Sequence, residues 1–148
     1  MTMLSPYNLL RLLLLGAGLG WGLTVIGAVL PWEFAVEHLQ KFGGSGPIPD
    51  DKMLNYWLRM ASGAFGIIGL LFLLAAKNPQ KYANIIPILG FASVFEGIIL
   101  LFYGIMFDLR FFPFVVDLSI AFVPGIGILM FKNSIHQSVN STTNELAD

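Results

Sequence analysis

Long apolar stretches alternate with short polar connections along this chain. A helix that crosses a bilayer needs about 20 mostly apolar residues. Four segments meet that length, at about residues 9–30, 53–76, 82–106 and 111–131. Polar interruptions inside them are sparse: Arg59 in the second, Glu96 in the third and Asp117 in the fourth. The first stretch runs without charge from Leu12 to Leu30. That exceeds the roughly 7–15 residues of a signal-peptide core, and no A-x-A site follows, so it reads as a spanning helix. The pattern predicts an all-α fold, a four-transmembrane-helix bundle.

The connections refine this picture. Lys77-Asn-Pro-Gln-Lys81 and Phe107-Asp-Leu-Arg110 are short polar turns. They predict that helices two and three, and then three and four, are antiparallel neighbours. Pro87 falls in the first turns of helix three, whereas Pro124 falls inside helix four and is expected to kink it. The connection between helices one and two has a pattern of its own. Trp32, Ala35, Val36, Leu39 and Phe42 recur at helical spacing, and Glu33, Glu37, Gln40 and Lys41 take the other face. This predicts a short amphipathic helix at about residues 32–42, either lying in the membrane interface or capping the bundle. Gly43-Gly44-Ser45-Gly46-Pro47 ends it. The bundle is expected to occupy residues 1–132, with a disordered polar tail over 133–148. Asn140-Ser141-Thr142 in that tail matches a glycosylation sequon, relevant only in a eukaryotic lumen.

Composition agrees with the pattern. Of 148 residues, 56% are hydrophobic and only 11% charged, against about 25% charged in soluble domains. Mean hydropathy is +0.76. A net charge of −1 gives no basic field for nucleic acid. The absence of cysteine excludes disulfides, thiolate nucleophiles and cysteine-bound metals. No nucleophile–base pair, metal-ligand cluster or cofactor motif stands out, so an enzyme is the least supported class and no cofactor is expected. Gly16-Ala-Gly18-Leu-Gly20-Trp-Gly22 lacks the spacing and strand context of a dinucleotide loop and reads as helix packing. Arg11, Lys77, Lys81 and Lys132 fall on one side of the membrane and Lys41, Lys52 and Arg110 on the other. That bias favours both termini in the cytoplasm, as a multi-pass protein of a bacterial inner membrane.

The intramembrane polar residues are the candidates for function. Each ionisable group in hydrocarbon costs about 2.5–3.5 kcal/mol on insertion scales and usually faces the bundle interior. At about 1.5 Å per residue, Arg59 and Asp117 lie roughly 9 Å deep and Glu96 about 15 Å, all counted from the amphipathic-helix side. These depths predict an Arg59, Glu96 and Asp117 cluster. One guanidinium cannot neutralise two carboxylates, so one acid is expected to hold a proton or exchange it with a ligand.

Small residues accompany the cluster. Gly16, Gly20, Thr24 and Gly27 share a side of helix one, and Ser62, Gly63, Gly66 and Gly69 share one with Arg59 on helix two. Gly90, Ser93, Gly97 and Gly104 share one on helix three, and Ala121, Pro124 and Gly125 share one with Asp117 on helix four. Such seams suit close helix packing, within the bundle, in a homo-oligomer or against a membrane partner protein. Ser62 and Ser93 join the candidate ligand-binding set. Tyr103, two turns beyond Glu96, is placed either to bond it or to anchor at the interface.

Several short motifs carry a resemblance. Leu30-Pro31-Trp32-Glu33, Trp57-Leu58-Arg59, the run Gly69 to Tyr82, Phe95-Glu96-Gly97 and the acid-then-proline pattern Asp117…Pro124 resemble small bacterial four-helix membrane proteins of the DoxX-like families. The resemblance spans about residues 12–131. It implies a four-helix bundle with the helix-two arginine paired to the helix-three acid, and no defined activity. Some DoxX-named proteins are linked to quinone-coupled oxidation, but this chain has no cofactor motif that would carry that chemistry over. The residues leave two readings open. In one, a small or amphiphilic ligand, such as a lipid, enters from the amphipathic-helix side and is bound or moved at the Arg/Glu/Asp cluster. In the other, the chain is a structural or accessory membrane subunit in which the cluster only fixes helix packing.

Overall fold

The computed structural model describes residues 5–43, 47–109 and 111–135. Within them the elements are α1 (Pro6–Gly22), a 3-10 turn (Leu23–Val25), α2 (Ile26–Val29), α3 (Trp32–Gly43), α4 (Lys52–Lys77), α5 (Ile86–Met106) and α6 (Phe111–Phe131). No strand is found among the described residues. Four helices are long and apolar enough to cross a membrane: Pro6–Val29, Lys52–Lys77, Ile86–Met106 and Phe114–Phe131. Most of their large apolar side chains face outward, among them Leu19, Ile67, Phe91, Ile105 and Met130. In water that surface would be costly; in lipid it is the solvated face. The chain is a multi-pass integral membrane protein.

Local chemistry sets the helix ends. Ser5 caps α1 by accepting from the Asn8 N–H at 3.2 Å, and Asp51 caps α4 by accepting from the Leu54 N–H at 2.8 Å. Both α1 and α5 carry proline in the first turn, where a missing N–H costs nothing. The C-terminus of α5 closes with Asp108 in the left-handed region, at φ 49°. Leu109 N–H then donates to the Gly104 carbonyl and Asp108 N–H to the Ile105 carbonyl, satisfying two end-of-helix acceptors. The break in α6 falls at Phe112, whose φ −112° and ψ 126° are those favoured before a proline. Pro124, where a kink is expected, lies inside α6, which runs on through it.

Packing departs from the order of the chain. The close pairs are α1 with α4, α5 with α6, and α1 with α6, while α4 and α5 barely meet. Helices two and three are joined by a short turn yet separated by a groove, which corrects the expectation that they pack as neighbours. The reason lies in the glycines. At Gly69 a Cβ would run into the backbone of Gly22 and, at 2.9 Å, into the Gly18 carbonyl oxygen, so α1 and α4 cross with their backbones nearly touching. Gly90, Gly97 and Gly104 recur every seventh residue on α5 and receive Leu129, Phe122 and Phe114 of α6. Each residue number on one helix falls as the other rises, as an antiparallel heptad seam requires. The seam expected on α1 is partly wrong. Gly18 and Gly22 face α4 and Gly20 faces Ile120 of α6, while Gly16 has nothing near it. Gly63 on α4 is likewise open.

The buried core is lopsided. Leu10, Leu14, Ala17 and Trp21 of α1 meet Phe72, Ala75 and Ala76 of α4, Ile86 and Leu89 of α5, and Ala121 and Ile128 of α6. Most of these lie towards the end of the bundle that holds the start of α1 and the end of α6, with Trp21 and Ala121 near mid-span. Ser134 and Ile135 join that core, so the polar tail begins later than residue 133; its remainder, including His136 and the sequon, lies outside the described residues. At the other end α3 packs against α6. Trp32, Ala35 and Leu39 of its predicted apolar face line a cavity beneath it, and α3 is the amphipathic helix expected there.

The glycine crossing gives a direct test. Gly69→Leu should lower the midpoint of thermal unfolding in detergent, by about 1–3 kcal/mol of overpacking. Gly16→Ala, with open space around it, should be neutral or stabilising by up to about 1 kcal/mol. Equal effects at the two positions would contradict the crossing.

Candidate functional site

Arg59 sits one helical turn beyond Asn55 and a turn before Ser62 on α4, facing the last residues of the first span. Its Nε donates to Asn55 Oδ1 at 2.7 Å, and its two terminal nitrogens donate to the carbonyls of Ala28 at 2.8 Å and Leu30 at 3.1 Å. These carbonyls end a helix and precede Pro31, which has no N–H to offer, so no backbone donor follows directly to serve them. The guanidinium also places positive charge at the negative end of the helix. An ion pair with Glu96 or Asp117, as expected from depth and implied by the DoxX-like resemblance, is not formed; Arg59 spends its bonds on backbone instead. No buried charged cluster is seen among the described residues.

Arg11 makes the same contact at the opposite end. Its Nε donates to the Ala76 carbonyl near the C-terminus of α4 at 3.2 Å. The first span (Pro6–Val29) and α4, an antiparallel pair, are therefore held at each end by an arginine in the first half of one reaching carbonyls at the end of the other. Between them, Thr24 Oγ1 donates to the Trp21 carbonyl at 2.6 Å and lies 3.4 Å from the Ser62 carbonyl, where the first span tightens into its 3-10 turn.

The intramembrane residues divide between two cavities. The larger, about 460 Å3, lies under α3 and is lined by Arg59, Ser62, Asp117, Asn55, Trp32 and His38 together with Gly27, Leu30, Ala35, Leu39 and Leu58. Its volume falls within the roughly 300–1,000 Å3 of small-molecule sites. Three of the five guanidinium N–H groups of Arg59 are used, leaving two for a ligand. Asp117 makes no hydrogen bond or ion pair with another described residue. The cavity thus joins a donor pair on α4 to a lone acceptor on α6. Trp32 and the inner face of α3 supply apolar wall.

Glu96 and Ser93 belong elsewhere. They line a cavity of about 250 Å3 in the groove between α4 and α5, with Trp21, Phe65, Ile68, Phe72, Leu89, Ala92 and Phe95. Tyr103 lines neither cavity; it is 47% exposed and stacks on Phe107 with ring centroids 5.6 Å apart, on the outer surface of α5. Among the described residues no three His, Cys, Asp or Glu side chains converge as metal ligands.

Three contributors escaped sequence reasoning. Asn55 was legible as a polar residue one turn before Arg59. His38 lies beside the predicted apolar stripe of α3, and its Nδ1 is 2.8 Å from the Phe34 carbonyl oxygen. Trp21 looked like any membrane aromatic among glycines, and only the packing of α1 shows it to be buried.

Arg59→Met should strand the Ala28 and Leu30 carbonyls and lower stability by about 1–3 kcal/mol in chemical denaturation. Arg59→Lys should recover only part, because an ammonium cannot fork to two carbonyls and an amide together. Full recovery by lysine would contradict the geometry. Comparison with family models, with curated proteins and with solved structures finds no match, so the functional reading rests on these side chains.

Proposed function

We propose that this membrane protein binds or moves a small or amphiphilic ligand in the cavity beneath α3. The observation that carries the reading is the joint lining of that cavity by Arg59, with two unused N–H groups, and Asp117, with no partner. An acidic group, carboxylate or phosphate, suits the planar guanidinium. A hydroxyl or ammonium on the same molecule suits Asp117, which would act as a proton-linked partner. The apolar face of α3 takes up the hydrophobic part. A lipid headgroup meets all three demands, and the opening on the α3 side gives it a path from the interface.

The accessory-subunit reading has one observation in its favour: three of the five Arg59 N–H groups are spent on Asn55, Ala28 and Leu30, a packing role that needs no ligand. Against a docking role for the glycine seams stands their use inside the bundle, at Gly18, Gly22, Gly69, Gly90, Gly97 and Gly104.

Native mass spectrometry of the purified full chain separates the two. Bound phosphatidylethanolamine, whose headgroup carries both a phosphate and an ammonium, is expected to survive detergent exchange. Asp117→Asn should weaken that binding roughly 10-fold or more, the worth of one charge-assisted hydrogen bond, without loss of folding. Absence of any adduct, with Asp117→Asn indistinguishable from the parent, would favour the accessory reading.

A further inference from the structure

Trp21 Nε1 and Ser93 Oγ are buried polar atoms with no hydrogen-bond partner. Trp21 is 9% exposed and Ser93 3%. Both line the α4–α5 groove with Glu96. Buried polar atoms in proteins nearly always find partners, and in hydrocarbon bulk water is not at hand to serve them. Three polar side chains from two helices therefore meet in one cavity with their demands unmet. The rest of the wall is apolar: Phe65, Phe72 and Phe95 with Ile68, Leu89 and Ala92, Phe65 packing on the indole with ring centroids 5.1 Å apart. Phe95 is largely exposed on the lipid-facing surface, and α4 and α5 barely touch, so the groove opens sideways into the bilayer.

We propose that this groove is a second binding site, for an uncharged, ring-bearing alcohol or phenol dissolved in the membrane. The chemistry selects the class. An indole N–H only donates, so the ligand must accept. The Ser93 hydroxyl and Glu96 carboxyl add acceptors, so the ligand must also offer a proton. A hydroxyl does both. A carboxylate or phosphate has no proton to offer the Ser93 and Glu96 oxygens, and a cation would leave the Trp21 N–H unanswered. The aromatic wall favours a flat or ring-shaped body, and about 250 Å3 falls below the range of drug-sized sites, which limits that body to about two fused rings. None of its lining residues is shared with the Arg59 cavity, so the two sites stand or fall separately.

The test uses decahydro-2-naphthol and decalin, which share a ring body, differ by one hydroxyl and do not absorb where tryptophan is excited. The full chain carrying Trp32→Phe and Trp57→Phe, in lipid nanodiscs, leaves Trp21 as the only indole. Decahydro-2-naphthol should give a saturable red shift of Trp21 emission at a concentration roughly 5- to 10-fold lower than any effect of decalin, the worth of one or two neutral hydrogen bonds. Ser93→Ala should remove most of that advantage and leave the decalin response unchanged. Gly16→Ala, in open space and away from the groove, should leave both unchanged. Native mass spectrometry of the unsubstituted chain, retaining the alcohol in preference to decalin, provides the same comparison without tryptophan replacement. Equal responses to the two probes, an advantage that survives Ser93→Ala, or an emission already red and unmoved by either probe, as a water-filled groove would give, would each overturn the proposal.

Discussion

Backbone carbonyls at the end of a transmembrane helix must find donors, and here two arginines supply them across the α1–α4 pair. Arg11 reaches the Ala76 carbonyl at one end, and Arg59 reaches those of Ala28 and Leu30 at the other. The clamp acts on the pair whose backbones cross most closely, at Gly18, Gly22 and Gly69. It fixes how far the two helices slide along each other, which contacts between glycines alone would leave loose. It also explains how a guanidinium persists well inside the second span: its cost is offset by three hydrogen bonds rather than by a counter-charge.

The clamp produces an asymmetric bundle. At the terminal end, interlocking side chains from all four spans make a dry core around Leu14, Phe72, Ile86 and Ile128. At the other end Arg59 holds the corner Ala28–Leu30, where the chain leaves the membrane and turns into α3. That corner leads into α3, and a cavity lies beneath it. Arg59 is both the pin of the corner and a wall of the cavity. A ligand that engages the remaining N–H groups would act on the element that covers it.

Much of this was readable from the residues. Four spans, the amphipathic segment and its inward face arise from hydrophobic period and length, because lipid permits few alternatives to the helix. The seven-residue recurrence Gly90, Gly97, Gly104 is likewise visible in the sequence. Which helices pair is not, because a short turn constrains the ends of two helices and leaves their faces free; α4 turns to α1 and leaves α5 across a groove. The site was half legible. Depth counting brought Arg59 and Asp117 to one level, and they do share a cavity. It could not show that Arg59 would take backbone carbonyls as partners, or that Glu96 faces a different groove with Ser93 and Trp21. Acceptors on the main chain leave no mark in a sequence, and helix rotation is decided by packing.

The Arg59 fork pins the end of the first span and, through it, α3. Amide hydrogen exchange of the full chain in lipid nanodiscs tests it most directly, comparing the parent with Arg59→Gln. The account predicts faster exchange over Gly27–Leu30 and Trp32–Leu39 in the variant, with Leu10–Ala17 and Phe72–Ala76 as protected as before. Unchanged exchange in α3 and the preceding corner, or a uniform loss across all four spans, would contradict it.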